Sequence, residues 1–317
     1  MKTIGILSVI IFALSGCATS PTLMYEYQNA VWKIHADGSG VVKIVDNAKY
    51  PQWIPNVKDK VAFVRFQGPK GALFVADEDG KNQLQLTGYN ASEHFSWSPD
   101  RNWIAFATDR HGKWQIYKVN VTNKQEVRLT KNQFNDQNPR WSPKGNKIAF
   151  QSDRRNGDSD IWIMDVNGGN PENITDGVVG AGYDGEAAWS PDGKYIAHHC
   201  NHIGWGGPKV CLAVLPTATT PSATGPFSKH MASGIEPLWS PSGDYIFYID
   251  SNHTLHKQDV KTKQTQIVAM TSGSSATEYM DIDEADLFFV KGTNLYKVKW
   301  KSGGETKLGQ GYNPDVW

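Results

Sequence analysis

Few features of this chain announce chemistry. Lys+Arg and Asp+Glu both number 32, so the formal charge is zero and no basic excess points to nucleic acid. Helical periodicity is missing over any long window, which argues against a helical domain. No Gly-x-Ser-x-Gly elbow occurs, which excludes an attached hydrolase of the peptidase kind. A phosphate-cradling Gly-x-x-x-x-Gly-Lys and a His-Glu-x-x-His zinc motif are also missing. The apolar run Ile4 to Leu14 is about half the ~20 residues that span a bilayer, so it does not read as a membrane helix. There are only three cysteines, Cys17, Cys200 and Cys211. The acidic stretch Asp153 to Asp160 fails the ligand order of a calcium loop and reads as a solvated turn.

One phrase recurs instead. It reads Trp97-Ser-Pro-Asp100, Trp141-Ser-Pro-Lys-Gly145, Trp189-Ser-Pro-Asp-Gly193 and Trp239-Ser-Pro-Ser-Gly243, with a looser copy at Trp53-Ile-Pro-Asn56. Spacings of 44, 44, 48 and 50 residues match one four-stranded propeller blade of about 40–50 residues. Each copy is followed by an apolar strand, a polar turn, a second strand and a closing strand that ends in Leu-Thr or Ile-Thr, as at Thr87, Thr130 and Thr175. Twelve each of Trp, Tyr and Phe, with 30 Gly, suit short packed strands and many turns. The phrase resembles the WD40-like repeat of the TolB type, as in the periplasmic propeller of the Tol envelope system. That resemblance covers nearly the whole chain after its leader. It implies an all-β propeller used as a protein-binding scaffold, as a companion to peptidase domains or as a sugar-acid lyase.

The blade count follows from third-strand copies at Leu73, Ile116, Ile161, Cys211, Leu255 and Leu295, plus a seventh at Val31 to Ile34. Inner strands are expected to end at Trp53, Trp97, Trp141, Trp189, Trp239 and Ile282. The N-terminal blade lacks its first strand, and Asn313 to Trp317 repeats the lead-in of Asn138 to Trp141. The expectation is therefore a seven-bladed propeller whose N- and C-terminal strands pair and leave no open edge, with six blades as the alternative.

The start of the chain supplies an address. Lys2, the apolar run and Leu14-Ser-Gly-Cys17 make a secretory signal, and they resemble the lipobox of bacterial lipoproteins. The expected organisation is a lipoprotein signal peptide over 1–16, a lipidated tether over 17–21 and a single propeller over 22–317. Cys17 would carry the lipid, and Ala18 leans the protein towards the outer membrane, facing the periplasm. An exported chain meets an oxidising compartment, so Cys200 and Cys211 are a disulfide candidate. A monomer is expected, held to the membrane through its N-terminal lipid.

The repeat carrying Trp189 departs most from its siblings. Where the preceding one reads Ile148-Ala-Phe-Gln-Ser-Asp-Arg154, it reads Ile196-Ala-His-His-Cys-Asn-His202. Its loops, Gly180 to Glu186 and Asn201 to Pro208, are the most divergent, and loops on a rigid scaffold are where function concentrates. Tyr183 and Trp205 are the expected anchors of a partner, with Glu186 and His202 setting polarity and Asp184 a further binding residue. His94, Glu236 and Tyr279 join them from a ring of residues three places before each inner-strand end. The leading reading is a non-catalytic binding module with no cofactor, its partner an envelope protein or peptide segment. The alternative is a metal-assisted polysaccharide or oligogalacturonate-type lyase, or a sugar-binding propeller, with a divalent ion on His198, His202 and Glu186. Strand alternation sends His198 and His199 to opposite faces, which weighs against that ion.

Overall fold

The computed structural model describes residues 22–54, 60–68, 70–88, 91–155, 157–175, 182–202, 206–215, 228–270, 280–282, 286–291 and 294–308. Every regular element among them is a strand. The first sheet has three, β1 (Thr22–Tyr27), β2 (Ala30–His35) and β3 (Val42–Asp46). The next holds β4 (Lys49–Trp53), β5 (Lys60–Gln67), β6 (Lys70–Asp77) and β7 (Leu84–Gln85). Then come β8 (Ala91–Trp97), β9 (Trp103–Thr108), β10 (Gln115–Asn120) and β11 (Glu126–Arg128). The Trp141 repeat forms β12 (Asp136–Trp141), β13 (Lys147–Arg155), β14 (Asp158–Asp165) and β15 (Glu172–Asn173). The Trp189 repeat forms β16 (Gly182–Trp189), β17 (Tyr195–His202), β18 (Lys209–Val214) and β19 (Ser228–Ser233). Two further sheets follow, β20 (Ile235–Trp239) to β23 (Thr265–Met270) through β21 (Tyr245–Ile249) and β22 (Thr254–Asp259), and β24 (Met280–Ile282) to β27 (Glu305–Lys307) through β25 (Asp286–Lys291) and β26 (Asn294–Lys299).

Neighbouring strands within each repeat run antiparallel, single bridges join β6 to β8 and, in parallel, β14 to β16, and each inner strand ends at the tryptophan or isoleucine the repeat marks. A chain of four-stranded antiparallel meanders of this kind is the material of a propeller. By their contacts the described residues divide into two compact units. One runs up to Glu93 and adds His253–Leu255 and the chain from Ile267 onward; the other is His94–Asn252 with His256–Gln266.

Each residue of the repeated phrase has a physical task. The serine hydroxyl after the tryptophan accepts the amide five places on, Ser98 from Trp103 at 3.0 Å, Ser142 from Lys147 at 3.1 Å, Ser190 from Tyr195 at 2.9 Å and Ser240 from Tyr245 at 3.1 Å. That bond closes the turn into the second strand, much as a cap satisfies an orphan donor. Gly193 turns at φ +70, and a Cβ there would lie 3.5 Å from Pro143 of the preceding phrase, so successive turns stack proline on glycine. The closing threonine is buried and its hydroxyl accepts a third-strand amide: Thr87 from Leu73, Thr130 from Ile116 and Thr175 from Ile161, at 2.9 to 3.1 Å.

Apolar burial lies between sheets. In the His94–Asn252 unit, Ala105 and Ala107 of β9 leave room for Trp141, Ile148 and Phe150 of the next sheet. Ala197, Val210 and Leu212 receive Trp239, Ile246 and Tyr248 in the same way. Small residues on one face and aromatic residues on the other let twisted sheets interdigitate without voids. Trp189 and Trp239 also donate their indole N–H groups to the carbonyls of Arg140 and Ala188 at 3.0 Å, each bonding the sheet before its own. In the other unit the three-stranded sheet packs on both sides, with Leu23, Tyr25 and Ile34 against Phe288, Leu295 and Leu308, and Met24 and Val31 against Trp53 and Phe63.

The carboxylate of Asp153 accepts the amide and side chain of Asn135, both at 2.7 Å, and so ties down the approach to β12. The stretches 1–21 and 309–317, with Cys17 and the expected closing strand Asn313–Trp317, lie outside the described residues.

Candidate functional site

A backbone irregularity builds the site. In β12, β16 and β20 the register slips between Gln137 and Arg140, Gly185 and Ala188, and Ile235 and Leu238. At each slip one residue takes a left-handed conformation: Asn138 at φ +51, Glu186 at +54 and Glu236 at +54. Tyr50, in the other unit, repeats the bulge in β4 at φ +54. A non-glycine residue in that region costs roughly 1–2 kcal/mol, so four copies mean the fold enforces it. Bulges of this kind re-aim a side chain and are common beside functional sites. The re-aimed positions are the residues three places before the inner-strand end, and His94 holds that place in β8.

Within the His94–Asn252 unit these side chains share one electrostatic neighbourhood. Glu186 Oε2 accepts the amide of Glu236 at 3.2 Å, and His199 Nδ1 lies 3.8 Å from the same oxygen. Arg140 follows the bulge in β12. Burial lowers its pKa and the Glu186 charge pushes back, and a guanidinium keeps its proton regardless. No hydrogen bond engages its side chain among the described residues. His94 is pushed down to about 4, first by burial and then by the Arg140 charge, so it is a neutral imidazole near pH 7. Burial also lowers His199, against the pull of Glu186, and its Nε2 is buried with no hydrogen-bond partner among the described residues.

Tyr183 borders this group. Its ring is 40% exposed and meets His199 edge-to-face at 5.4 Å, while its hydroxyl accepts Gln151 Nε2 at 3.1 Å. Burial raises the phenol's pKa, with that bond opposing. Gln151 also reaches the carbonyl of Asp184 at 3.2 Å and accepts from Asn138, so one amide joins two sheets. Gly185 permits this approach, because a Cβ there would collide with the Tyr183 hydroxyl and the Gln151 amide.

The opposite face of β17 holds a second, wholly buried cluster. His198 Nδ1 lies 3.4 Å from Asp184 Oδ1, and Cys200 forms a disulfide with Cys211 at a Cα separation of 6.0 Å. That separation falls inside the range expected for facing strands.

Residues 20–203 match the family model described as the TolB beta propeller domain, more than half of the chain. The chain belongs to that family. A curated relative, an uncharacterized protein of Agrobacterium fabrum, is 33% identical over 134 residues, which is 40% of this chain and 46% of the relative. The chain thus spans under half the length of the curated relative it matches. TolB from Acinetobacter baumannii superposes with a TM-score of 0.56 at 21% identity, covering 75% of this chain and 60% of that one. An oligogalacturonate lyase in complex with manganese superposes at 0.65 with 9% identity over 95% of both chains. At such identities the likeness is one of fold.

In this TolB propeller the sequence-derived candidates sort into three groups. Glu186, Glu236 and Tyr183 come together around His199, and His94 is tied to them through the Arg140 charge. Asp184 is fully buried in this structure. For the metal alternative, His198 turns to Asp184 whereas Glu186 turns to His199, so those two do not share a centre. Trp205 and Tyr279 lie outside the described residues, as does the side chain of His202. Arg140 and His199 went unrecognised as site residues. The available signal was the place before each tryptophan, which reads Gln52, Ser96, Arg140, Ala188 and Leu238, and in which one cation stands out.

Proposed function

We propose that this TolB propeller is a lipid-anchored, non-catalytic binding module of the cell envelope, and that it holds an extended protein segment bearing at least one carboxylate. The observation that carries the reading is Arg140, a half-buried cation with no hydrogen-bond partner among the described residues, set beside residues that a repeated bulge re-aims from successive sheets. An enclosed guanidinium favours a carboxylate through a two-pronged, charge-assisted bond. Glu186 and Glu236 offer acceptors to backbone amides of the same segment, neutral His94 and His199 can donate or accept, and exposed Tyr183 supplies an aromatic platform.

The architecture that goes with this reading is seven blades. Its support is that the first sheet is three-stranded among the described residues, and that Asn313–Trp317 repeats in sequence the lead-in of an inner strand. The lipid anchor rests on Leu14-Ser-Gly-Cys17, and with it the periplasmic face of the outer membrane.

Full-length protein expressed in a Gram-negative host tests both parts. Mass spectrometry should find a mature chain beginning at an acylated Cys17, and an unlipidated start elsewhere removes the anchor. Arrayed extended peptides with and without acidic residues should show binding that Arg140→Ala weakens about tenfold or more, the worth of one charge-assisted pair. Formation of an unsaturated, ultraviolet-absorbing product from oligogalacturonate with Mn²⁺, and no peptide bound, would replace the scaffold with the lyase.

A further inference from the structure

The buried face of β16, β17 and β18 gathers four side chains that bind zinc in other settings. Asp184 stands opposite Cys200 in the β16–β17 pairing, and His198 stands opposite Cys211 in the β17–β18 pairing. All four are fully buried. One ligand atom each from Asp184, His198 and Cys200 lie within 4.8 Å of one another, and the disulfide holds the Cys211 sulfur at the same spot. The β12–β15 sheet shows what this place looks like without such residues. There Phe150, Ser152 and Trp162 take the positions of His198, Cys200 and Cys211 around Asp136. A disulfide alone accounts for the two cysteines; it does not account for a histidine where the sibling sheet buries phenylalanine.

We propose that Cys200, Cys211, His198 and Asp184 form a zinc site that is available only when the disulfide is reduced. A dithiol reductant would deliver two electrons and two protons to the Cys200–Cys211 bond and itself become a disulfide. Zn²⁺ then displaces the two thiol protons and takes both thiolates, one imidazole nitrogen and one carboxylate oxygen. A disulfide oxidant reverses the exchange by removing two electrons from the thiolates and releasing the ion. Tetrahedral zinc with bonds of about 2.0–2.3 Å sets its ligands roughly 3.3–3.8 Å apart, so the present cluster needs to contract by only about an ångström while the sulfurs part. The two thiolates by themselves neutralise the ion, so that a buried Zn²⁺ would not stand as an unpaired charge, and the carboxylate fills the remaining place with the imidazole. The β17–β18 hairpin is cross-linked in either state, by sulfur or by metal. This site uses the face of β17 opposite His199 and stands independently of any segment bound near Arg140.

The test uses the full chain, reduced with a phosphine, freed of it without oxygen, and titrated with Zn²⁺ against a chromophoric chelator. The reduced chain should take up one equivalent and the oxidised chain none, and Co²⁺ in place of zinc should give thiolate charge-transfer and tetrahedral ligand-field bands. His198→Phe restores the sibling residue, keeps both cysteines and should weaken zinc binding about tenfold or more; Asp184→Asn should weaken it likewise. Equal affinity in His198→Phe would mean that two thiols suffice in any conformation, and it overturns the site. Uptake by the oxidised chain, no uptake by the reduced chain, or a reduced chain that loses its β-sheet circular dichroism and does not regain it with zinc would each overturn it too.

Discussion

The β12–β15 and β16–β19 sheets share a plan and differ in how each handles a buried carboxylate. Asp136 and Asp184 stand at the same register, five places before their tryptophans, and both are fully buried. Asp136 accepts Ser152 Oγ at 2.6 Å, Asn132 Nδ2 at 2.7 Å and Arg154 at 2.9 Å, and the Arg154 guanidinium lies over Phe150 and Trp162. This is an ordinary structural solution, a buried charge matched by a cation and two hydrogen bonds. In the sister sheet the serine has become half of a disulfide and the phenylalanine a histidine, and Asp184 lies beside that imidazole. The exchange replaces a salt-bridged network with a disulfide and a histidine–aspartate pair, on the strands that also carry Tyr183 and Glu186. A repeat protein can alter one sheet in this way because the neighbouring sheets carry the fold.

The sharpest way to break the comparison is to remove the Asp136 carboxylate. Asp136→Ala strands Arg154, whose side chain is only 14% exposed, so a loss of about 3–5 kcal/mol is expected in chemical denaturation. A loss below about 1 kcal/mol would mean that this sheet does not depend on its ion pair. Next in size is the disulfide. Replacing Cys200 and Cys211 together by serine should lower stability by about 2–3 kcal/mol, because the bridge closes a short loop of separation 11. No change in the melting temperature would reduce the bridge to a bystander.

The smallest expected effect concerns acid. The folded-state pKa of His199 is lowered, so as pH falls below about 6.5 the unfolded chain takes up a proton that the folded chain refuses. Stability should therefore decline from that pH downward, and His199→Gln, which imports Gln151 of the sister sheet, should flatten part of the decline. His94, held near 4, supplies the remainder over the same window. An unaltered pH profile in His199→Gln would show that the imidazole is already hydrated.

Much of this was readable from residues alone. The Trp-Ser-Pro phrase marks each inner-strand end because its tasks are local: a serine accepts the amide five places on, and a glycine turns at positive φ beside it. The Cys200–Cys211 bridge was legible for the same reason, since alternation and a short hairpin place both sulfurs on one face. The site itself was only partly legible. Position marked out Glu186, Glu236 and His94, but a glutamate has no preference for φ +54, so nothing in its identity announces the bulge that aims it.

Pattern along the chain thus decides the strands, their turns and which side chains share a face of a sheet, because those relations are local in sequence and follow from period and hydrogen-bonding valence. Packing between sheets decides the rest. Arg140 acquires its meaning from Glu186, which lies 46 positions away, and from His94, 46 positions in the other direction, and Asp184 from strands on either side of a hairpin. Burial and charge proximity are properties of neighbours in space. A linear period brings such residues to the same register, and only the packed sheets determine how close they come and whether water stands between them.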